Sequence, residues 1–547
     1  MHEYGGGAFC VRGGTVFFSN FDDQRLYRVD PGHAPRPLTP DDGARYADGA
    51  VSPDGGQLVC VRERHTPDGV VNDLVALSTA IAGPLVGVAA GRDFYAAPRM
   101  APSGLLAWLE WDHPNMPWDG TELRVQGGGG PRAGGRDESV SQPRWAPDGA
   151  LHWISDRTGW WNLYRSGQPL APMDAEFAGP DWVFGQSTYA FLPGGRVAAA
   201  WTGHLGVLGQ PALDLPYTEF SSVTAFGGKV AAIAASPATA PAVVVIDPAT
   251  AAVTVVRRSR PDPDPGYLST PRPIAFPTTG GRTAHARFYP PANRDCEGPP
   301  GELPPLVVTS HGGPTSQAST ALELRTQFWT SRGIAVVDVD YGGSSGYGRA
   351  YRQQLAGQWG VVDVDDCVAA ARFLAGTGDV DDRRMVIRGS SASGLTTLLA
   401  LTRGVFAAGA SLYGVVDLAA MVTDTHKFEA RYLDGLVGPW PEAADVYRDR
   451  SPITHADDLS APLIIFQGLD DRVVPAAQAE VLVAALRRAG LPFAYLTFAG
   501  EAHGFRRAET IQRVVEAELS FYGQVLGFVP ADDLEPVPIE RPPRPPG

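Results

Sequence analysis

Three short blocks of small and polar residues in the C-terminal half of this 547-residue chain carry the side chains needed to build a nucleophile and its base. The apolar run MVIR leads into Gly389-Ser390-Ser391-Ala392-Ser393-Gly394 and then a second apolar stretch, the strand, sharp turn and helix pattern that lifts a serine hydroxyl above a sheet. Such a turn needs minimal side chains two positions before and after the nucleophile, which excludes Ser390 (Arg388 precedes it) and Ser393 (Leu395 follows it). Ser391, between Gly389 and Ser393, remains. The second block, after LIIF, is Gln467-Gly468-Leu469-Asp470-Asp471-Arg472-Val473-Val474-Pro475, a loop that presents a carboxylate from Asp470 or Asp471. The third, after AYLTF, is Ala499-Gly500-Glu501-Ala502-His503-Gly504-Phe505, with a glycine-flanked histidine. A loop histidine is usually a surface residue and a loop aspartate usually a turn or cap. Serine, acid and histidine in that chain order are what an α/β-hydrolase site requires.

The chemistry these residues imply is acyl transfer. His503 accepts the proton of Ser391 as it attacks a carbonyl and returns it to the leaving group, while a carboxylate fixes the imidazole tautomer. Negative charge developing on the carbonyl oxygen needs preorganised donors. Ser310-His311-Gly312-Gly313-Pro314, following LVVT, occupies the place where this fold exposes a backbone amide, here that of Gly312; the amide after the nucleophile, Ala392, is the second donor.

Elements must hold those loops in register. Apolar strands alternate with helical periodicity from about residue 306: Leu306 to Thr309, Ile334 to Val339, helix Val364 to Leu374, Met385 to Ile387, helix Leu395 to Leu401, Leu463 to Phe466, helix Ala476 to Ala489 stopped by Gly490, Ala494 to Phe498, and a last helix from Ala508 to Tyr522. This predicts a doubly wound α/β-hydrolase domain over 261–529. Upstream, turns recur about every 45 residues: Pro53-Asp54-Gly55, Pro102-Ser103-Gly104, Pro147-Asp148-Gly149 and Pro193-Gly194-Gly195, with Gly13-Gly14 and Gly227-Gly228 extending the series. Each precedes a short apolar strand, which predicts an all-β propeller over 1–260 in preference to a β-sandwich with evenly spaced hairpins. The Pro-rich stretch RSRPDPDPGYLSTPRP at 258–273 separates the two, and the last segment, 530–547, is expected to be a disordered Pro-rich tail.

Composition narrows the partners. Forty-five basic against sixty acidic side chains, a net charge of −15, would repel both a phosphate backbone and an anionic membrane, so neither nucleic acid nor membrane is expected as a partner. Cys10, Cys60, Cys296 and Cys367 lie far apart with no paired spacing, which predicts neither a zinc site nor a disulfide framework and suits a reducing cytoplasm. The N-terminus shows no basic and apolar leader pattern, and no run of about eighteen apolar residues occurs. No metal or nucleotide motif appears, so no cofactor is expected.

Several blocks together resemble the prolyl oligopeptidase family of serine peptidases, in particular its acylaminoacyl-peptidase and dipeptidyl-aminopeptidase-like branch. They are SHGGPTS (310–316), DYGGSSGYGRAYR (340–352), GQWGVVDVDD (357–366), RGSSASG (388–394), THKFEARYLDG (425–435), QGLDDRVVP (467–475) and GEAHGF (500–505), with HEYGGG (2–7), HPNMPWDGTEL (113–123) and SDRTGWWNLYR (155–165) upstream. The resemblance implies Ser391 as nucleophile, Asp471 rather than Asp470 as the acid, and His503 as base. It also implies that Phe428, Tyr432 and Val474 line the pocket for the side chain preceding the scissile bond. Phe428 and Tyr432 would share one face if their stretch is helical, which a core-facing pair would do equally. Relatives hold a substrate's free amine with propeller carboxylates, which marks Glu176 in DAEFAGPDW, near Asp174 and Asp181. Two departures stand out: Ser393 where the family has glycine, and Asp340 where it has asparagine. Six units are readable where relatives usually carry seven or more, and HEYGGG lies well inside the chain in relatives. A ring of six to seven blades, short at its N-terminal end, is therefore expected.

The function these observations imply is a cytoplasmic serine peptidase acting on short peptides (dipeptidyl, acylaminoacyl or oligopeptidase type), with the propeller restricting access. A carboxylesterase on the same triad, or a propeller-based binding protein with an idle hydrolase domain, are the alternatives. Amino-acid preference, the state of the substrate's N-terminus and oligomeric state, a homo-oligomer included, are left open.

Overall fold

The computed structural model of the chain describes residues 3–423, 425–541 and 543. Each glycine-containing turn of the N-terminal series connects the first and second strands of one small antiparallel sheet. At Pro53-Asp54-Gly55, between the strands Arg45–Val51 and Gln57–Thr66, Asp54 Oδ1 accepts from Ser52 Oγ (2.6 Å) and the Gly56 amide (3.0 Å). Gly55 takes φ 76°, which a side chain would resist. Six such sheets follow one another at 9–37, 45–89, 94–134, 140–169, 189–207 and 219–258. The fifth has three strands and the others four, and together they form a six-bladed propeller. Inner strands are apolar without alternation because blades cover both faces: Leu58, Val59, Cys60 and Val61 are all at most 2% exposed. In the strand Val197–Trp201 three consecutive alanines are buried, small enough for neighbouring blades to close on them.

The C-terminal sheet has eight strands. In chain order they are Arg272–Pro277, Thr283–Tyr289, Leu306–Ser310, Ala335–Asp340, Met385–Ser390, Ala408–Leu412, Leu463–Gly468 and Phe493–Phe498, and in space they run 1-2-4-3-5-6-7-8. The second strand pairs antiparallel with both of its neighbours, the first and the fourth, and every other pairing is parallel. Neighbouring residues of one strand serve opposite faces. Val308 and Ile387 pack with Leu395, Leu398 and Leu486, whereas Val307 and Val386 pack with Trp329, Val514, Phe521 and Tyr522. Helices on both sides thus bury the sheet, and the strand ends are left to carry the loops. The helix Ala476–Ala489 ends as expected on Gly490, at φ 68°.

Two expectations are corrected. Residues 530–541 of the anticipated disordered tail are packed: Val537 is buried, Asp532 pairs with Arg332 (2.6 Å), and Glu540 pairs with Arg487 (2.7 Å) and bonds backbone to backbone with Phe493. Its apolar residues are few, but they join the core against the second half of the last helix, where the Val537 amide donates to Ser520 Oγ (3.0 Å). Of the remainder, 542 and 544–547 lie outside the described residues. The stretch holding Phe428 and Tyr432 is not one helix but a single turn, Lys427–Glu429, followed by the helix Tyr432–Leu436.

The two domains are joined by buried polar contacts. The helix Gly348–Arg352 of the hydrolase enters the third and fourth blades, where Asp156 Oδ2 accepts from both Arg349 and Arg352 (2.6 Å each). The Arg349 amide donates to Gly159 O (2.7 Å), and the Arg352 guanidinium lies over the Trp161 ring at 4.0 Å.

Candidate active site

The strand Met385–Ser390 and the helix Ala392–Leu401 meet at one residue in a strained conformation, Ser391, with φ 55° and ψ −123°. Holding a non-glycine residue there costs about 1–3 kcal/mol, which the packing around it must offset. Gly389 cannot carry a side chain, because a Cβ would overlap the Ser393 carbonyl and come within 2.6 Å of Thr397 Oγ1. Gly394 lies against Gly414, close enough that a Cβ would overlap its Cα. Ser393, the departure from glycine, has its own use: its hydroxyl donates to Ser390 O (2.9 Å) and accepts from the Ser390 amide (2.8 Å). The serine therefore ties the strand end to the helix start, satisfying two backbone groups at the bend.

Ser391 Oγ is 2.8 Å from His503 Nε2, and His503 Nδ1 is 2.8 Å from Asp471 Oδ2. Asp471 is fixed in turn, its Oδ1 accepting from the amides of Val473 and Val474 (2.9 Å each), with its side chain fully buried. Asp470 is exposed and makes a backbone bond to Glu501 O, so of the two aspartates only Asp471 is brought to the histidine. Tyr413 packs edge-on against the His503 ring at 4.9 Å, and Phe505 packs on Tyr413. With Nδ1–H held by a carboxylate, Nε2 is the atom free to take the serine proton.

Gly312 lies over the nucleophile: a Cβ on it would be 3.8 Å from Ser391 Cβ and 3.4 Å from Ser390 O. Among the described residues no hydrogen bond engages the amide of Gly312 or that of Ala392. The loop carrying Gly312 is braced from behind. Tyr341 donates to Pro314 O (2.8 Å), His311 Nε2 meets Ser344 Oγ (2.6 Å), and burial lowers the pKa of His311 to about 4, keeping it neutral. Asp340 is buried and accepts from the Ala318 amide and the Tyr347 hydroxyl.

Beyond the serine lies an aromatic wall built from both domains. Tyr432 bonds Thr315 through its hydroxyl (2.6 Å), and Trp182 of the propeller donates to Thr315 O (2.8 Å). Trp118 and Trp182 stand edge-on to Tyr432 (5.6 and 5.7 Å), while Phe428 meets Phe94, Trp118, Trp182 and Tyr4 at 5.9–6.3 Å. Val474 is buried in the same core, its amide spent on Asp471. Trp118, Trp182 and Tyr4 were not singled out from sequence, although two of them lie in the HPNMPWDGTEL and HEYGGG blocks.

Glu176, expected to meet a substrate amine, is placed otherwise. Its two oxygens accept from the Trp161 amide (2.8 Å) and, across the domain boundary, the Gly348 amide (3.1 Å). Burial raises its pKa to about 7, and each oxygen already accepts a backbone amide. Asp181 is likewise taken, accepting from Ser141 Oγ (2.8 Å).

Residues 320–528 match the prolyl oligopeptidase family. Among curated proteins, the dipeptidyl aminopeptidase BIII of Pseudoxanthomonas mexicana is 30% identical over 230 residues, 41% of this chain and 33% of that protein. The acylamino-acid-releasing enzyme of Arabidopsis thaliana is 30% identical over 219 residues, 38% of this chain and 29% of that protein. The chain thus aligns with about a third of the length of these curated relatives. Among solved structures, a puromycin-hydrolysing peptidase of Mycobacterium tuberculosis superposes with a TM-score of 0.93 at 44% identity, covering 98% of this chain and 89% of that one. A likeness that runs through propeller and hydrolase alike, joined to the family match over the segment that holds Ser391, Asp471 and His503, has one reading: the chain belongs to the prolyl oligopeptidase family.

Proposed function

We propose that the protein is a serine peptidase that cleaves short peptides through an acyl-enzyme on Ser391. The observation that carries this reading is the relay Ser391–His503–Asp471, two 2.8 Å contacts in series, next to two amides that no hydrogen bond engages among the described residues. His503 Nε2 takes the hydroxyl proton as Oγ attacks the scissile carbonyl, and Asp471 stabilises the imidazolium that forms. The amides of Gly312 and Ala392 receive the charge on the carbonyl oxygen, a contribution of about 3–4 kcal/mol per donor in comparable sites. His503 then protonates the leaving amine, and water reverses the sequence to free the acid. Phe428 and Tyr432 offer the residue before the scissile bond an apolar seat whose other side is propeller aromatics, so the hydrolase domain alone has half a pocket. Relatives described as peptidases from both branches favour amide bonds over esters as the substrate.

The test is fluorophosphonate labelling alongside hydrolysis of aminoacyl and dipeptidyl p-nitroanilides. Ser391→Ala should lose labelling and nearly all turnover, while Ser390→Ala keeps labelling. Labelling with hydrolysis of p-nitrophenyl esters but of no anilide would replace the peptidase reading with a carboxylesterase.

A further inference from the structure

One ion pair sits where apolar packing would serve. The last helix, Ala508–Leu526, meets the sheet through Val514, Phe521 and Tyr522, which pack on Val307, Val386 and Phe466. Among these residues Arg388 Nε donates to Glu518 Oε1 (2.9 Å), the Arg388 side chain being 12% exposed and that of Glu518 fully buried. Tyr522 donates its hydroxyl to the same oxygen (2.9 Å). Arg388 Nη2 and Glu518 Oε2 are buried and, among the described residues, have no hydrogen-bond partner. A single directional bond, not a fully satisfied network, therefore joins the two charges. Exchanging such a pair for apolar side chains of similar volume is often neutral or stabilising. Stability alone gives these two positions no reason to be charged.

Their places in the chain supply one. Arg388 lies three residues before Ser391, about 10 Å along the strand. That strand is held on both sides, with Arg388 paired to Thr309 and Ala410. Glu518 lies on the helix whose start is tied to the base. The two carboxylate oxygens of Glu501 accept from the Arg506 and Arg507 amides (3.0 Å each), its carbonyl accepts from the Asp470 amide (3.0 Å), and His503 sits between. Apolar contacts are non-directional, so a helix resting on them can slide along a sheet at little cost. A hydrogen bond weakens steeply when it is bent or stretched, and so fixes the register. The Arg388 guanidinium is also close enough to Tyr413 to interact with it electrostatically, and Tyr413 stands edge-on to the His503 ring.

We propose that Arg388 and Glu518 are positioning residues, a strut between the nucleophile's strand and the helix that follows the base, which keeps Ser391 Oγ and His503 Nε2 at their 2.8 Å contact. The proposal rests on Ser391 as the nucleophile and goes beyond the peptidase reading, because it holds for an amide or an ester substrate alike. Its loss should appear in the attack on the carbonyl and not in substrate binding, since Phe428 and Tyr432 belong to the core on the other face of the sheet. A slip of about 1 Å between reacting groups is enough to slow a reaction about 100-fold.

The experiment combines Arg388→Met with Glu518→Leu in the full chain and follows thermal unfolding, fluorophosphonate labelling and hydrolysis of the p-nitroanilide the enzyme accepts. The double variant should unfold within about 3 °C of wild type, or above it. It should nevertheless label and turn over about 10- to 100-fold more slowly, with KM changed less than about threefold. Arg388→Lys, which keeps a charged donor for Glu518, should recover most of that loss. If the double variant does not fold, Glu518→Gln and Glu518→Leu give the answer. Glutamine keeps an acceptor for Arg388 Nε and should label at least about fivefold faster per active molecule than leucine. Wild-type labelling in a folded double variant, a rise in KM that accounts for the whole loss, or equal rates for Glu518→Gln and Glu518→Leu would each overturn the proposal. A wild-type enzyme that labels but cleaves no anilide would remove the peptidase reading and leave the strut to be judged on labelling.

Discussion

Asp156 is the residue whose loss should cost the most stability without touching the relay. Its side chain is fully buried, accepts 2.6 Å bonds from Arg349 and Arg352, and with Oδ1 accepts from the Ser139 amide at 2.8 Å. Arg352 is 4% exposed at its side chain, so it cannot turn to water once its partner is gone. Asp156→Ala leaves two guanidinium groups facing each other in a shielded interface, and breaking a buried pair from one side costs about 3–5 kcal/mol. At roughly 2 °C per kcal/mol for a domain of this size, the first unfolding transition should fall by about 6–10 °C. Asp156→Asn, which keeps an acceptor for Ser139, should show most of that loss, because the charge rather than the hydrogen bond is the larger share. Replacing the cluster by Asp156→Leu with Arg349→Met and Arg352→Met removes both guanidinium groups together with their shared partner and should recover part of it, the remainder being the loss of positive charge beside the buried Asp119 and Glu176. Urea unfolding followed by tryptophan emission reads the interface directly, since Trp118 and Trp161 contact Arg352. A loss below 1 kcal/mol for Asp156→Ala, or a triple variant no better than the single one, would refute an electrostatic latch.

Two further outcomes follow from other contacts. Gly394→Ala must push the nucleophile's helix off Gly414, so it should lower kcat by at least tenfold and destabilise the hydrolase by about 1–3 kcal/mol; wild-type kinetics in a folded variant would contradict the close packing. Glu176 has its pKa raised to about 7 by burial, so between about pH 4.5 and 7 the folded protein keeps a proton that the unfolded chain has released. Its stabilising effect is complete below that window and is lost as pH rises through 7. The stability gap between wild type and Glu176→Gln should therefore shrink by roughly 2–3 kcal/mol from pH 5 to pH 8, and a gap independent of pH in urea titrations would rule this out.

The parts of the molecule written in local chemistry were legible. Turns that need glycine or proline announced the blades, and the sharp bend at Ser391 announced itself by the small residues it demands. Asp471 was separable from Asp470 only by resemblance, whereas the structure separates them by which carboxylate reaches the imidazole. The opening antiparallel pair of the large sheet, Arg272–Pro277 and Thr283–Tyr289, escaped notice because prolines at 273 and 277 disguise an edge strand. Ala408–Leu412 escaped because a fully buried strand of small residues shows no alternation. Glu176 was misread for a deeper reason. A glutamate in a polar loop looks solvated, and nothing nearby reveals that its second donor is an amide 172 residues away. Trp118 and Trp182 are invisible on the same ground: their meaning arises only where two domains touch.

The packed residues 530–541 bear on the molecule's solubility. Phe493–Phe498 is the last strand of the eight, so one side of it has no sheet neighbour and presents amides and carbonyls open to pairing with another chain's strand. Glu540 exchanges both backbone bonds with Phe493 (3.0 and 2.7 Å), and its carboxylate grips Arg487 of the adjacent helix. The C-terminal segment thereby acts as a guard rail at the start of that border, converting a sticky margin into a closed one. Trimming the chain before Val537 would leave the triad untouched and yet unblock the margin, giving an enzyme that turns over normally when dilute and associates as its concentration rises.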